Sequence, residues 1–399
     1  MPELQDLGLG AAAAWRGGRV GAWRNALAPG RKEPVPMTFE PATVSLLFAC
    51  ALFSALVTWL SIRYAHRRAL LDLPGQRRSH SVPTPRGGGI GIVAALLAGL
   101  AILAVRGQQT IFGGWLAAAI VLVAAVGWAD DHRPLSARLR LFTHLLSVVV
   151  LYFPLFRFLA TLTTSNIALA GSAEAAAAET SLTKDAVVFI AVAVFLLANA
   201  WFINLHNFMD GIDGLLASQA VFVFLALAWT VSGDSQTVLW LCAAAVVGFL
   251  PFNFPRARTF MGDVGSGPLG LLIAVAVMLQ VLSFRGSPFS GLIACSAFVV
   301  DATFTLLSRM CAHRRWYSAH REHLYQWLVR SGSSHARVVA FYMGWNLFVV
   351  VPVLYAANRG AAASGFAWAC AIYAFGPAVW IAGKRRCLRQ ARNAKQRKV

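Results

Sequence analysis

Eleven apolar runs divide the chain, at about 43–62, 88–105, 113–129, 141–159, 185–203, 215–232, 237–253, 267–284, 290–307, 338–357 and 365–383. A helix rises 1.5 Å per residue, so a run of about 20 residues crosses a hydrocarbon core roughly 30 Å thick. Short polar segments separate the runs, and neither a soluble domain nor an internal repeat interrupts them. The pattern predicts an all-α polytopic membrane protein of about eleven transmembrane helices, with its polar chemistry in the loops.

Composition agrees. The chain is 58% hydrophobic and 13% charged, whereas a soluble domain carries about 25% charge. Its formal net charge of +19 would fit nucleic acid if it were concentrated in one module. The basic residues are instead spread over several loops, as topogenic signals are, so no nucleic-acid partner is expected. The lipid bilayer is the expected surrounding. The six cysteines lack CxxC spacing, so they support neither a zinc site nor a disulfide framework.

Lys and Arg set the orientation. If the loops after runs 1, 3, 5, 7 and 9 and the C-terminal tail face the cytoplasm, 25 basic residues lie inside and 5 outside beyond the first run. That bias predicts a multi-pass protein of the bacterial inner membrane. The first 36 residues fit poorly, because Arg16, Arg19, Arg24, Arg31 and Lys32 burden an end that would be translocated. Residues 1–36 are therefore expected to be a disordered extension or to precede the true start at Met37. Residues 37–383 form the membrane-embedded domain and 384–399 a basic cytoplasmic tail.

In this orientation eight of the 16 acids fall on the cytoplasmic side, at Asp72, Asp130, Asp131, Asp210, Asp213, Asp263, Asp301 and Glu322. Acids contribute little to topology, so their gathering there needs another reason. GWADDHRPLSARLR puts Asp130 and Asp131 side by side, which is costly near a membrane without a cation or an arginine; the plain alternative is a solvated helix end. NFMDGIDG spaces Asp210 and Asp213 three apart, between glycines that let backbone approach a ligand, with Asn204 and Asn207 nearby. FMGDVGSG sets Asp263 in a glycine-rich turn before a helix, suited to an anion or to Mg²⁺. DLPGQRRSHSVPTPRGGGIGI offers Arg77, Arg78, His80 and Arg86, and arginine recognises phosphate bidentately. YSAHREHLYQWL adds Arg321 with His320 and His323 three apart. His313 and His335 read as isolated loop histidines, and Asp301 as a structural polar group paired with an arginine. Acids for Mg²⁺ beside arginines for phosphate are the components of phosphoryl transfer.

With these residues in hand, the chain resembles the bacterial polyprenyl-phosphate N-acetylhexosamine-1-phosphate transferases over about residues 43–337. TPRGGGIG, the Asp130–Asp131 pair, NFMDGIDG and FMGDVGS occur in the family's order. The resemblance implies Mg²⁺-dependent transfer, with Mn²⁺ as an alternative, of a sugar-1-phosphate from a UDP-activated amino sugar to undecaprenyl phosphate, releasing UMP. It implies catalytic roles for Asp130, Asp131 and Asp263, and metal binding by Asp263, Asp213 and Asp130. It implies substrate binding by Asn207, Asp210, Asp213, Arg86, His323 and Arg321. Which aspartate is the base, and whether one forms a covalent intermediate, stays open, as does a homodimer. The last loop reads AHREHLYQ and departs from the triple histidine of the peptidoglycan enzymes. That departure favours initiators of O-antigen and other lipopolysaccharide glycans that use 6-deoxy sugars, with a GlcNAc donor or a peptidoglycan-precursor role as alternatives. A secondary transporter is the competing class; it would place its acids near the midplane in broken, repeated helices.

Overall fold

The computed structural model describes residues 40–73, 82–108, 113–169, 178–282, 286–314, 320–360 and 362–396. Residues 1–36, with the proposed extension, and Arg77, Arg78 and His80 lie outside the described residues. The chain folds into helices α1 (Pro41–Arg67), α2 (Ile90–Val105), α3 (Gly113–His132), α4 (Ala137–Leu169), α5 (Ala178–Met209), α6 (Leu215–Ala228), α7 (Asp234–Asn253), α8 (Asp263–Leu282) and α9 (Ser290–Cys311). Then come α10 (Leu324–Arg330), α11 (His335–Trp345), a π-helical segment (Asn346–Val350), α12 (Val351–Arg359) and α13 (Ala362–Gln396). Strands β1 (Leu71–Asp72) and β2 (Thr84–Pro85) form a two-residue antiparallel ladder.

Among the described residues nine spans have the length and apolarity to cross a membrane, α11 to α12 counting as one, and α2 and α6 are shorter apolar helices. Nine of the eleven predicted crossings are thus long enough to span, and the runs at 88–105 and 215–232 fold as shorter apolar helices. The protein is all-α and polytopic. Helix α8 is its axis: 83% of its apolar window is buried within the protein, against 22% for α1. The rest of α1 points outward, with Phe48, Leu52, Leu56 and Trp59 exposed. Such a face needs lipid rather than water around it.

Several helices outrun the hydropathy that revealed them. Run 43–62 becomes Pro41–Arg67, and run 365–383 becomes Ala362–Gln396. Hydropathy measures membrane thickness, whereas backbone hydrogen bonding continues into polar sequence. The basic tail from Lys384 to Gln396 accordingly continues α13. Of the cysteines, Cys50, Cys242, Cys295 and Cys387 are buried, while Cys311 and Cys370 are exposed.

Candidate active site

The loops at one end of the bundle are tied to each other by backbone as well as by side chains. Phe260 N–H donates to the Pro85 carbonyl at 2.8 Å, and the N–H groups of Gly88 and Gly89 donate to the carbonyls of Phe260 and Met261, both at 2.9 Å. A Cβ on Gly88 would strike Thr259, and one on Gly89 would strike the Gly265 backbone. The glycines of TPRGGGIG thus let one loop lie against another, which delivers Arg86 to the start of α8.

There Arg86 meets the acids. Its Nε lies 2.9 Å from Asp131 Oδ1 and its Nη2 3.5 Å from Asp263 Oδ1. Asp131, on the last turn of α3, also accepts the backbone N–H groups of Asp263 at 3.0 Å and Val264 at 3.1 Å. Those two N–H groups begin α8 and have no partner within it, and a carboxylate suits the positive end of a helix dipole. Gly262 turns the chain under this cap with φ of +73°, and a Cβ there would run into the Asp131 carboxylate. Both geometry and space demand glycine at 262.

Arg140, on the first turn of α4, bridges two more acids: its Nη1 is 3.3 Å from Asp130 Oδ2 and 3.4 Å from Asp263 Oδ2. The other oxygen of Asp130 accepts the Leu135 N–H at 2.6 Å. Three acids and two arginines therefore alternate across the mouth of the bundle, with Asp263 touching both arginines. Read from sequence, Arg140 was one topogenic charge among many; the structure makes it part of the site.

The second acidic loop faces the first. Asn253 at the end of α7 holds it from below, its Oδ1 accepting the Gly214 N–H at 2.9 Å and its Nδ2 donating to the Thr259 carbonyl at 3.0 Å. Ser266 Oγ donates to Asn207 Oδ1 at 3.3 Å, joining α8 to α5. Asp213 Oδ2 accepts the Ala257 N–H at 3.2 Å and lies 3.2 Å from His335 Nδ1. His335 stands 122 residues downstream, and its Nδ1 accepts the Asp213 N–H at 3.4 Å. Asp210 is half-buried in the cleft. Burial, then the neighbouring charge of Asp263, pushes its pKa up to about 7 despite Arg86.

Between these loops opens a cavity of about 290 Å³, lined by Arg86, Asn207, Asp210, Asp213, Asp263, Arg321, Gln326 and His335, with Asp72 and Asn253. Six of the nine site residues that the resemblance implies thus line one cleft: Arg86, Asn207, Asp210, Asp213, Asp263 and Arg321. Asp130 and Asp131 stand behind Asp263, engaged by Arg140 and Arg86. His323 stands behind the opposite wall, 2% exposed, its ring stacked on Tyr325 at 5.7 Å. Burial holds the imidazoles of His320 and His323 below the usual range, the first down to about 4. Asp301 is a buried structural group, as expected, yet it is held by amide, hydroxyl and indole donors, while Arg309 pairs with Glu322 instead.

Among the described residues no three His, Cys, Asp or Glu side chains converge as a ready ligand set. What faces the cleft is oxygen from Asp210, Asp213, Asp263 and Asn207. Hard oxygen donors in small number suit Mg²⁺, which takes one or two carboxylates and completes its shell with water and phosphate.

Fold and cleft together define a polytopic membrane protein whose carboxylates, arginines and amides gather at the helix ends of one face. A model of glycosyl transferase family 4 matches residues 114–281, the stretch from α3 through α8 that carries Asp130, Asp131, Arg140, Asn207, Asp210, Asp213 and Asp263. The chain is 26% identical over 347 residues to the decaprenyl-phosphate N-acetylglucosaminephosphotransferase of Mycobacterium leprae, covering 79% of this chain and 83% of the relative. It is 26% identical over 294 residues to the undecaprenyl-phosphate alpha-N-acetylglucosaminyl 1-phosphate transferase of Yersinia pestis, covering 70% and 75%. It is 30% identical over 237 residues to the phospho-N-acetylmuramoyl-pentapeptide-transferase of Acaryochloris marina, covering 56% and 60%. The chain is thus similar, over these stretches, to polyprenyl-phosphate hexosamine-1-phosphate transferases.

Proposed function

We propose that the protein transfers an N-acetylhexosamine-1-phosphate from a UDP-sugar to undecaprenyl phosphate at the cytoplasmic face of the bacterial inner membrane. The observation that carries this reading is the alternation of Arg86 and Arg140 with Asp131, Asp263 and Asp130 beside a cleft that also holds Asp210 and Asp213. Cations and carboxylates at these spacings suit a diphosphate and its metal better than a neutral sugar or a transported ion. The orientation rests on the basic loops, which share the face of the cleft.

An oxygen of the lipid phosphate attacks the sugar-proximal phosphorus of the donor. The new P–O bond forms as the bond to the bridging oxygen breaks, and that oxygen leaves with its electron pair on UMP. Asp263 and Asp210 are the residues that would hold Mg²⁺, with Asp213 beside them; the ion supplies charge neutralisation and orientation of the diphosphate. Arg86 and Arg321 line the cleft and present guanidinium N–H groups to phosphate oxygens. Arg140 keeps Asp130 and Asp263 together while negative charge gathers, and Asp131 fixes where Asp263 points. Preorganised charges of this kind account for most of the rate enhancement in phosphoryl transfer.

The reading of the donor rests on the loop AHREHLYQ, which departs from the triple histidine of the peptidoglycan enzymes. We favour a 6-deoxy-N-acetylhexosamine, which would place the enzyme at the start of O-antigen synthesis. UDP-GlcNAc is the second reading, favoured by the names of the Mycobacterium and Yersinia relatives. The test is UMP release by the purified protein with undecaprenyl phosphate and Mg²⁺ across UDP-GlcNAc, UDP-FucNAc, UDP-QuiNAc and UDP-MurNAc-pentapeptide. Turnover with a 6-deoxy donor at least about tenfold above UDP-GlcNAc supports the first reading, and the reverse preference supports the second.

A further inference from the structure

We infer that Asp301, a buried carboxylate in the transmembrane helix α9, is a positioning residue that holds one wall of the cleft against the Asp210–Asp213 loop. Asp301 is 2% exposed and takes no part in lining the cleft. A charge at this depth is expensive unless its oxygens are fully engaged. They are. Oδ1 accepts the Leu324 N–H at 2.7 Å, Trp380 Nε1 at 3.0 Å and Thr305 Oγ1 at 3.2 Å. Oδ2 accepts Tyr342 Oη at 2.6 Å and the Tyr325 N–H at 3.4 Å. These donors come from α9 itself, α10, α11 and α13, so one carboxylate gathers four helices.

The consequence lies in where α10 begins. Leu324 and Tyr325 are its first two residues, and their N–H groups would otherwise lack partners. By accepting both, Asp301 sets the height and direction of a helix whose next residue, Gln326, lines the cleft, as does Arg321 just upstream. Tyr325 carries the connection further. Its Oη donates to the Phe208 carbonyl at 3.0 Å and accepts from Gln326 Nε2 at 3.1 Å. Its ring sits so close to Gly211 that a Cβ there would strike Oη. Burial pushes the Tyr325 phenol well up, so it stays protonated and keeps donating. The route from Asp301 to the acidic loop is thus two residues long: the carboxylate fixes the backbone of Tyr325, and the ring of Tyr325 fixes the backbone from Phe208 to Gly211.

A role confined to packing would make Asp301 important only for the stability of α9, α11 and α13. The positioning role predicts a change at a distance. It also builds on the transferase reading for its kinetic arm, so the first measurement is independent of activity. Amide hydrogen exchange is followed in the full-length protein in detergent, for wild type, Asp301→Asn, Asp301→Glu and Tyr325→Phe. Asparagine keeps the shape of the side chain but offers one acceptor oxygen and puts an amide where N–H groups already point. Asp301→Asn is expected to speed exchange about tenfold or more in both 320–328 and 207–214, the scale of losing one or two buried hydrogen bonds. Exchange in α1, which packs mainly on α2 and α7, should stay at the wild-type rate.

Tyr325→Phe cuts only the second link, so 207–214 should open while the first amides of α10 stay protected. That variant also covers the case in which Asp301→Asn does not fold. In the kinetic arm, Asp301→Asn should raise the KM for the UDP-sugar about tenfold and leave the KM for undecaprenyl phosphate within about twofold, with Asp301→Glu restoring part of the loss. Unchanged exchange in 207–214 in the folded Asp301→Asn variant, or in Tyr325→Phe, overturns the inference. A wild type that releases no UMP, yet shows the exchange pattern above, removes the transferase reading and leaves the positioning role standing.

Discussion

The carboxylate of Asp131 accepts the backbone N–H groups of both Asp263, at 3.0 Å, and Val264, at 3.1 Å. An acid at the end of one transmembrane helix therefore caps the start of another, 132 residues later, and fixes the residue that faces the cleft. The two aspartates have different work, and their variants should differ in kind.

Asp263→Asn should lower turnover by about 100-fold or more, the scale of losing a principal electrostatic contributor, with thermal stability near that of wild type. Asp131→Asn should also lower turnover, but with a fall in stability of about 0.5–2 kcal/mol, as expected for a weakened helix cap. Turnover and detergent-phase melting measured on both variants check this. Wild-type turnover in Asp263→Asn would falsify its place in the chemistry.

Arg140 is expected to be indispensable although no motif marks it. Arg140→Ala leaves Asp130 and Asp263 facing each other without the cation that lies 3.3 and 3.4 Å from them. A loss of about 10–100-fold in kcat is expected, and Arg140→Lys should recover little, because an ammonium lacks the planar fork. Full activity in Arg140→Lys would reduce the role to net charge.

The pH profile should carry the signature of Asp210. Its folded pKa stands at about 7, above the ordinary carboxylate value of about 3.9. The folded protein thus holds this proton more tightly than the unfolded chain, so ionising Asp210 costs folding stability progressively from about pH 4 to pH 7. Function runs the other way. If the carboxylate binds the metal and donor, kcat/KM should fall as pH drops below about 7, and raising Mg²⁺ should move that limb to lower pH. Asp210→Asn should abolish the limb, and an unaltered limb in that variant would assign it to another group.

His335 and His313 offer a matched comparison. Both read in the sequence as isolated loop histidines, but His335 reaches Asp213 at 3.2 Å, while His313 is exposed at the end of α9. His335→Ala should raise the donor KM about three- to tenfold, the scale of losing one hydrogen bond, here to the Asp213 backbone. His313→Ala should be silent. Equal behaviour of the two variants would argue against the Asp213–His335 pairing.

Much of this architecture was legible beforehand, for a physical reason. Crossing a bilayer needs a long apolar run and forbids casual charge, so both the spans and the misplaced acids stood out. Distances were not legible. Nothing near Arg140 distinguishes it from Arg138, and nothing near Asp213 announces a histidine 122 residues on. The motif around His323 was visible, but the side chain itself lies behind the wall while Arg321 and Gln326 face the cleft. Asp301 was visible as an acid in an apolar run. Its partners were not, because an arginine in sequence is conspicuous and a helix N-terminus is not. Helix α10 was hidden as well, since seven residues are too few to show a period.

Phosphoryl transfer to a lipid phosphate is tested most directly by measuring both products in one reaction. Purified protein is supplied with undecaprenyl phosphate, a UDP-N-acetylhexosamine and Mg²⁺, and UMP and the lipid product are quantified together, the lipid by mass spectrometry. Sugar-1-phosphate transfer should yield UMP and a lipid diphosphate sugar in equal amounts, with both abolished by EDTA and in Asp263→Asn. Release of UDP with a lipid monophosphate sugar, or no turnover of any donor by folded protein, would contradict it.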